Sequence, residues 1–511
     1  MNLKKMFASA FCAALLFSLA AGIPAMAEGT PSVLYAGDVN LDGTVDVTDA
    51  VLLQKHLLGR SHLPDPAAVS AADLNGDGAV DVFDLGLLKQ KLLTDVQVRE
   101  DGDFIPAPLK NFYGSLPSQG SGRMAVFYVD FPDCKFDYEP NVEEINKICF
   151  GYNNDTSDPN YPFTSLRSFL FRSSKGVFDL NGKAFRYTAK HPIADYGGDD
   201  EKVKLMTEIV QYHNRFVDFA SFDGDKDGII DSMLICVPKT APENDWWPAS
   251  GQNYSNLEAD GVKIGHVTTG LMTIDSAAEH RNFVSLYAHE TGHNMGLPDY
   301  YLLYSEDIEG FHGEAGTALM DVDQYSDFCC FSKLMLGWYR EKQVMVYDTA
   351  KGGEQTFELR NAQTLSGNCL ILPCGTLDSN YNSEYMILEF NTDQQNNSGV
   401  NRDKTELYGY QVTSGVRAFH VQAAAEDRGN FRWLTYRATG GSEKKSDDGI
   451  RLIRLVNDAE GGKVFKSGDV IDGKISGFHW YAPDETESVD TGYTVKIGAC
   501  NGGSYTITVT K

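Results

Sequence analysis

The stretch AHETGHNMGLPDY, Ala288 to Tyr300, decides how the rest of the chain is read. His289 and His293 are four apart, so on a helix they share one face and can chelate a single ion. Glu290 lies outside that pair, where it can serve a metal-activated water as general base instead of binding the metal. Gly296 lets the helix stop in a left-handed turn, and Pro298 keeps it from resuming. The reversal can return Asp299 to the metal as third ligand. Two imidazoles and a carboxylate with a free fourth position describe a catalytic zinc site, not a closed structural one. The plain alternative is a buried helix whose two histidines are satisfied by the core.

Length suggests about three domains at roughly 150 residues each. The start, MNLKK followed by the apolar run Met6 to Ala21 and then Ala25-Met26-Ala27, reads as a secretory signal over residues 1–27. That run is too short to span a bilayer well and no later one reaches about 18 residues, so no membrane insertion is expected. Cleavage after Ala27 removes two lysines and no acid, taking the formal charge from −27 to −29. So acidic a chain argues against nucleic acid and anionic membranes as partners. The eight remaining cysteines, scattered and without C-x-x-C pairs, permit disulfides whose pairing sequence cannot choose; Cys369 and Cys374 could close a small loop.

A repeat of period 35 follows: DVNLDGTVDVTD from Asp38 to Asp49 and DLNGDGAVDVFD from Asp73 to Asp84. Oxygen side chains fall at loop positions 1, 3, 5, 9 and 12, with Gly at 6 and a backbone carbonyl at 7. The ligand sets are Asp38, Asn40, Asp42, Thr44, Asp46 and Asp49, then Asp73, Asn75, Asp77, Ala79, Asp81 and Asp84. A hard cation needs six or seven such oxygens, so two Ca2+ are expected. Each loop runs into a leucine-rich helix. The two loop-helix copies resemble a dockerin, which implies an all-α calcium-binding module over residues 34–95. The resemblance implies a cohesin partner on a scaffold protein, met by positions 10 and 11 of each copy: Val47, Thr48, Val82 and Phe83.

Residues 96–121, rich in Gly, Ser and Pro, read as a linker. A β run begins at Met124, Lys204 to Ala220 is a plausible amphipathic helix, and a strand covers Ser232 to Val237. The loop DGDKDGIID repeats the oxygen spacing in Asp223, Asp225, Asp227, Ile229 (backbone) and Asp231, for a further Ca2+. The pair Trp246-Trp247 can line a cleft or pack. Past the zinc motif, GTALMD places Met320 in what looks like the Met-turn of metzincins, and Phe331 to Trp338 reads as a last helix. Taken together, VDFPD (129–133), DGDKDGIID, HETGHNMGLPDY, LM (319–320) and SKLMLGW (332–338) resemble the immune inhibitor A-type metallopeptidases. The resemblance implies an α/β (α+β) metzincin-like zinc peptidase domain over 122–345. It implies zinc on His289, His293 and Asp299, Glu290 as general base, and a protein or peptide substrate. The Tyr that many metzincins carry two residues after the methionine is Val322 here; Tyr325 is the nearest substitute.

From 346 to 511, short alternating runs between Gly- and Asn-rich turns suggest an all-β, sandwich-like domain. Trp433, Trp480 and Tyr481 there read as core aromatics, with a glycan- or protein-binding platform as the alternative. The expectation is a multidomain, secreted, scaffold-associated bacterial zinc endopeptidase. A catalytically silent assembly or adhesion protein retaining a zinc-peptidase fold is the alternative, as is a zinc hydrolase of another type.

Overall fold

The computed structural model describes residues 36–41, 45, 47–63, 66–75, 78–95, 115–138, 140–252, 256–300, 318–321, 325–379, 381, 383–399, 414–422, 424–425, 431–432, 453–456, 464–481 and 488–511. The signal segment 1–27 and residues 96–114 of the expected linker lie outside these. Among the described residues, the first module holds three helices, Val47–Leu57, Pro66–Ala72 and Val82–Asp95. Val39, Leu53, Leu74 and Leu88 bury its small core, the two repeats contributing matched residues.

The central domain is built on a five-stranded sheet of β1 (Gly120–Asp130), β2 (Phe178–Thr188), β3 (Ser232–Pro238), β4 (Ala249–Gln252) and β5 (His266–Met272), ordered β2-β1-β3-β5-β4. The first four run parallel and β4 closes one edge antiparallel. A parallel strand covered on both faces reads as a continuous apolar run, and β1 is buried from Met124 to Asp130. Its alternation divides two cores. Ala125, Phe127 and Val129 join Leu205, Met206 and Ile209 of the Asp199–His213 helix. Met124, Val126 and Tyr128 face the Ala277–Asn294 helix that carries the zinc motif. That helix starts on Ser276, whose side chain accepts from Glu279 N–H. It ends with Gly296 at φ +99°, Gly296 N–H donating to His293 O and Leu297 N–H to Gly292 O, a Schellman arrangement that reverses the chain as the Gly and Pro required.

Apart from two short two-stranded pairs, Ala424–Ala425 with Phe431–Arg432 and His479–Tyr481 with Ser488–Asp490, the described C-terminal strands form two stacked sheets. One contains Val344–Val346, Cys369–Pro373, Glu384–Asn391, Gly415–Gln422 and Ile453–Leu455; the other contains Glu354–Arg360, Val470–Ile471, Thr494–Asn501 and Ser504–Thr510. Leu370, Met386, Leu388 and Ala418 face Leu359, Val495, Ile507 and Val509 across the gap between sheets. On the opposite face of the first sheet, Ile371, Tyr385, Ile387, Phe419 and Val421 enter the core of the motif helix.

Several expected boundaries move. Residues 115–121, read as linker, belong to the central domain: Leu116 is fully buried and its N–H donates to Asn294 O, Ser115 Oγ donates to Asp231 O, and Ser118 O accepts from Trp338 Nε1. Their Gly/Ser/Pro content looked loose, but the bonds run through backbone and small hydroxyls, which composition does not reveal. A cut at 345/346 would sever the strand Val344–Val346, which pairs with Cys369–Ile371. The helix expected over Lys204 to Ala220 is Asp199–His213, begun by three acids in its first turn. The helix expected over Phe331 to Trp338 is Cys330–Met335, with Gly337 at φ +68° just beyond it. Trp246 is fully buried and Trp247 exposed; Trp480 is buried with its Nε1 on Thr491 O. Trp433 and the Tyr481 side chain lie outside the described residues.

Cys369 and Cys374 are not bridged, and the eight described cysteines are thiols. Five steps of extended strand hold the two about 16 Å apart at roughly 3.3 Å per residue, against an upper limit near 7 Å between bridged Cα atoms. Titrating the denatured mature chain with a thiol reagent, without reductant, should therefore count eight thiols; six or fewer would reveal a bridge.

Candidate metal centres

The motif helix and the turn after it bring His289, His293 and Asp299 together: one ligand atom from each lies within 4.8 Å of the others. Asp299 Oδ1 is 3.0 Å from His289 Nε2 and 3.2 Å from His293 Nε2. Each ring is oriented from behind. His289 Nδ1–H donates to Leu319 O (2.7 Å), and His293 Nδ1–H donates to Leu297 O (2.8 Å). A carbonyl only accepts, so both Nδ1 atoms carry a proton, and both Nε2 atoms are turned to the shared point. Electrostatics agree. Burial disfavours a charged His293, but Asp299 outweighs it and His293 is pushed up to about 9. Asp299, although buried, is held far below the usual carboxylate range by the two imidazoles. The point where the three meet favours positive charge, and two nitrogens with one oxygen suit zinc.

Glu290 is 4% exposed and, among the described residues, its Oε2 has no hydrogen-bond partner. Burial raises it above the ordinary carboxyl range, against the pull of the two histidines. A buried carboxyl with an open lone pair beside three metal donors is the arrangement a proton acceptor needs.

Met320 lies beneath the helix. A Cβ on Gly292 would fall 2.5 Å from Met320 Sδ and 3.1 Å from Phe328 Cε1, so only glycine lets the two elements touch there. The turn is pinned by Tyr300 N–H on Met320 O (2.7 Å) and Leu319 N–H on Asp327 O (3.1 Å). Tyr325 is not turned to the metal donors: its hydroxyl donates to Asn282 Oδ1 and its ring meets Phe163. Val322 lies outside the described residues. The carbonyls of Leu297 and Leu319 and the whole of Asp327 escaped the sequence reading, since main-chain acceptors carry no residue-type signature. A cavity of about 950 Å³ lies elsewhere, beside Asn75, Asn141 and His280.

In the central-domain loop, Asp223, Asp225 and Asp227 converge within 4.8 Å. Asp231 does not join them. Its Oδ1 accepts from Gly224 N–H and its Oδ2 from Arg123 N–H, tying the loop to β1, and burial pushes it up to about 7. Ile229 forms an isolated bridge with Lys263. In the repeats, Asp42, Thr44, Asp46 and Asp77 lie outside the described residues, as does the Val47 side chain. Asp49 and Asp84 are fully buried. Each reaches back nine residues: Asp49 Oδ1 accepts from Asn40 N–H, and Asp84 Oδ1 from Asn75 N–H. Asp84 also accepts from Leu74 and Asp81 N–H, and Asp73 from Gly78 N–H. Asp38 is buried, Asn40, Asn75 and Asp81 partly so, and Ala79 is exposed. At positions 10 and 11, Thr48 is exposed, and Val82 and Phe83 are 66% and 70% exposed.

Residues 36–93 match the model of the dockerin type I domain. No curated protein matches the chain. Among solved structures it is similar to catalytically inactive OgpA from Akkermansia muciniphila in complex with an O-glycopeptide (glycodrosocin) substrate. Identity there is 13% and the TM-score 0.23, over 64% of this chain and 95% of that one.

The Gly292–Met320 contact is directly testable. Gly292→Val should cost about 2 kcal/mol of stability through overpacking, read as a lower denaturant midpoint, together with weaker zinc retention. An unchanged midpoint would show that Met320 does not sit there.

Proposed function

We propose that the chain is a secreted, metzincin-like zinc endopeptidase of the immune inhibitor A type, docked through its dockerin onto a cohesin-bearing, cellulosome-like scaffold. One observation carries the peptidase half: three donor atoms converge with both imidazoles oriented by main-chain carbonyls, beside a buried carboxyl whose Oε2 lacks a partner among the described residues. His289, His293 and Asp299 hold the metal. Zinc bound there would supply Lewis-acid activation of water and of the scissile carbonyl. Glu290, its proton affinity raised by burial, takes the proton of the attacking water and delivers it to the leaving amine. The surrounding apolar core excludes bulk water from the carboxyl and strengthens each of these interactions. The C-terminal strands are the sandwich-like β part of the same architecture.

The dockerin half rests on residues 36–93 and their duplicated acidic loops. Two Ca2+ would order those loops, and a third would sit on Asp223, Asp225 and Asp227. Exposed Val82 and Phe83, with Thr48 and Val47 in the other copy, form the face offered to a cohesin; exposed aromatics of this kind dominate the energetics of small interfaces. Among the described residues no helix is long and apolar enough to cross a membrane.

Metal analysis and caseinolysis of the mature chain beside Glu290→Gln should show one zinc per chain in both and a roughly 10³-fold lower rate in the variant. Near-wild-type turnover would remove Glu290 from its role. Zinc without hydrolysis even in the wild type would favour a silent assembly protein. Phe83→Asp should weaken calcium-dependent cohesin binding at least about tenfold and leave caseinolysis unchanged, as titration calorimetry against immobilisable cohesin modules would report; undiminished binding would move the docking face elsewhere.

A further inference from the structure

The His289 ring is aimed by Leu319 O, and what aims Leu319 lies in the C-terminal β part. Leu319 N–H donates to Asp327 O (3.1 Å), and Asp327 N–H donates to Asn397 Oδ1 (2.8 Å). Asn397 belongs to the short 3-10 turn Gln395–Gly399, which follows the strand Glu384–Asn391. Its Nδ2 donates to Asn391 Oδ1 (2.9 Å) and Thr392 O (3.1 Å), so the amide is held from the β side while its oxygen reaches the central domain. The Asp327 carboxylate is held as firmly. It accepts from Ser173 Oγ (2.5 Å), Asn396 Nδ2 (3.0 Å) and Lys333 Nζ (2.6 Å). Asn396 is 1% exposed and also bonds Phe169 O and Arg172 Nε.

We propose that Asn397 is a positioning residue for the metal ligand His289, acting through Asp327 and Leu319, and that the C-terminal β part is therefore a structural half of the metal centre. The inference rests on the zinc reading of His289. Three hydrogen bonds in series join a side chain of the β part to a metal ligand, and Asp327 between them is anchored at a second point through its carboxylate. Leu319 is fully buried, so water cannot replace a lost link there at no cost. An imidazole has little freedom once its Nδ1–H is committed, so displacing Leu319 O rotates Nε2 away from the point shared with His293 and Asp299. The shared core adds rigidity: Ile387 and Phe419 of the β part pack in the same cluster as Ala288 and Met320. A β module attached only for binding would need neither connection.

The experiment measures zinc affinity of the full mature chain by competition with a chromogenic chelator, for the wild type, Asn397→Ala and Asn397→Asp. The alanine variant removes the acceptor for Asp327 N–H. The aspartate variant keeps that acceptor and replaces the donor to Asn391 and Thr392 by a second carboxylate oxygen, which turns to solvent or to the flipped Asn391 amide. Zinc affinity should fall about tenfold in Asn397→Ala, at the low end of what outer groups supporting a ligand contribute, and stay within about twofold of wild type in Asn397→Asp. Equal affinity in alanine variant and wild type, or an equal loss in both variants, would overturn the proposal. If Asn397→Ala shows no cooperative melt, Asn397→Asp decides alone: a folded chain with tenfold weaker zinc sinks it. A wild type without tight zinc binding would sink the peptidase reading as well, whereas tight wild-type binding indifferent to Asn397 sinks this inference only.

Discussion

The bond from His289 Nδ1 to Leu319 O is the constraint on which the rest of the central domain depends. A metal ligand must present a lone pair in one direction, and an imidazole on a helix can rotate about two bonds unless its other nitrogen is committed. Committing it to a carbonyl thirty residues ahead requires the Met320 turn to lie flush against the helix. That closeness requires Gly292, where any side chain would meet the Met320 sulfur. Holding the turn then draws in Tyr300 N–H on one side and Asp327 O on the other. The glycine inside the HETGH stretch is thus a packing residue, and its reason lies in a partner far along the chain.

The sheet architecture follows from how many faces must be covered. The central parallel strands β1 and β3 are buried on both sides, so helices occupy both, and the motif helix takes one of them. The first C-terminal sheet is also apolar on both faces. One face meets its partner sheet and the other completes the core around the motif helix and Met320. Removing it would uncover the core it shares with the motif helix and the Cys330–Met335 helix. Central and C-terminal parts therefore share one core, and a domain boundary placed where the composition changes falls inside a strand.

The acidic loops show that one spacing of aspartates can serve two structural purposes. In the dockerin copies the twelfth residue is a buried Asp that folds the loop back on its third residue, identically in both repeats. In the central domain, Asp231 at the ninth position does comparable work, but toward β1, and leaves only Asp223, Asp225 and Asp227 converging. Sequence spacing names every acid alike. Which of them faces outward to a cation and which inward to backbone N–H groups depends on what the loop is packed against.

Local spacing by itself determined much of this protein. Two histidines four apart, a glycine and a proline after them, and an aspartate at the reversal define a helix, its end and a three-donor cluster, because helical periodicity and the φ angles of Gly and Pro operate over a few residues. The duplicated loops were equally legible, since all their oxygens come from twelve consecutive positions. Contacts between distant residues were not. That Leu319 aims His289, that Asn397 reaches Asp327, that Ser115 to Ser118 close onto the motif helix and that Cys369 and Cys374 stand apart were decided only when the chain folded. Such links run through backbone groups and common amides, which nearly every stretch of sequence possesses, so only three-dimensional proximity selects among them.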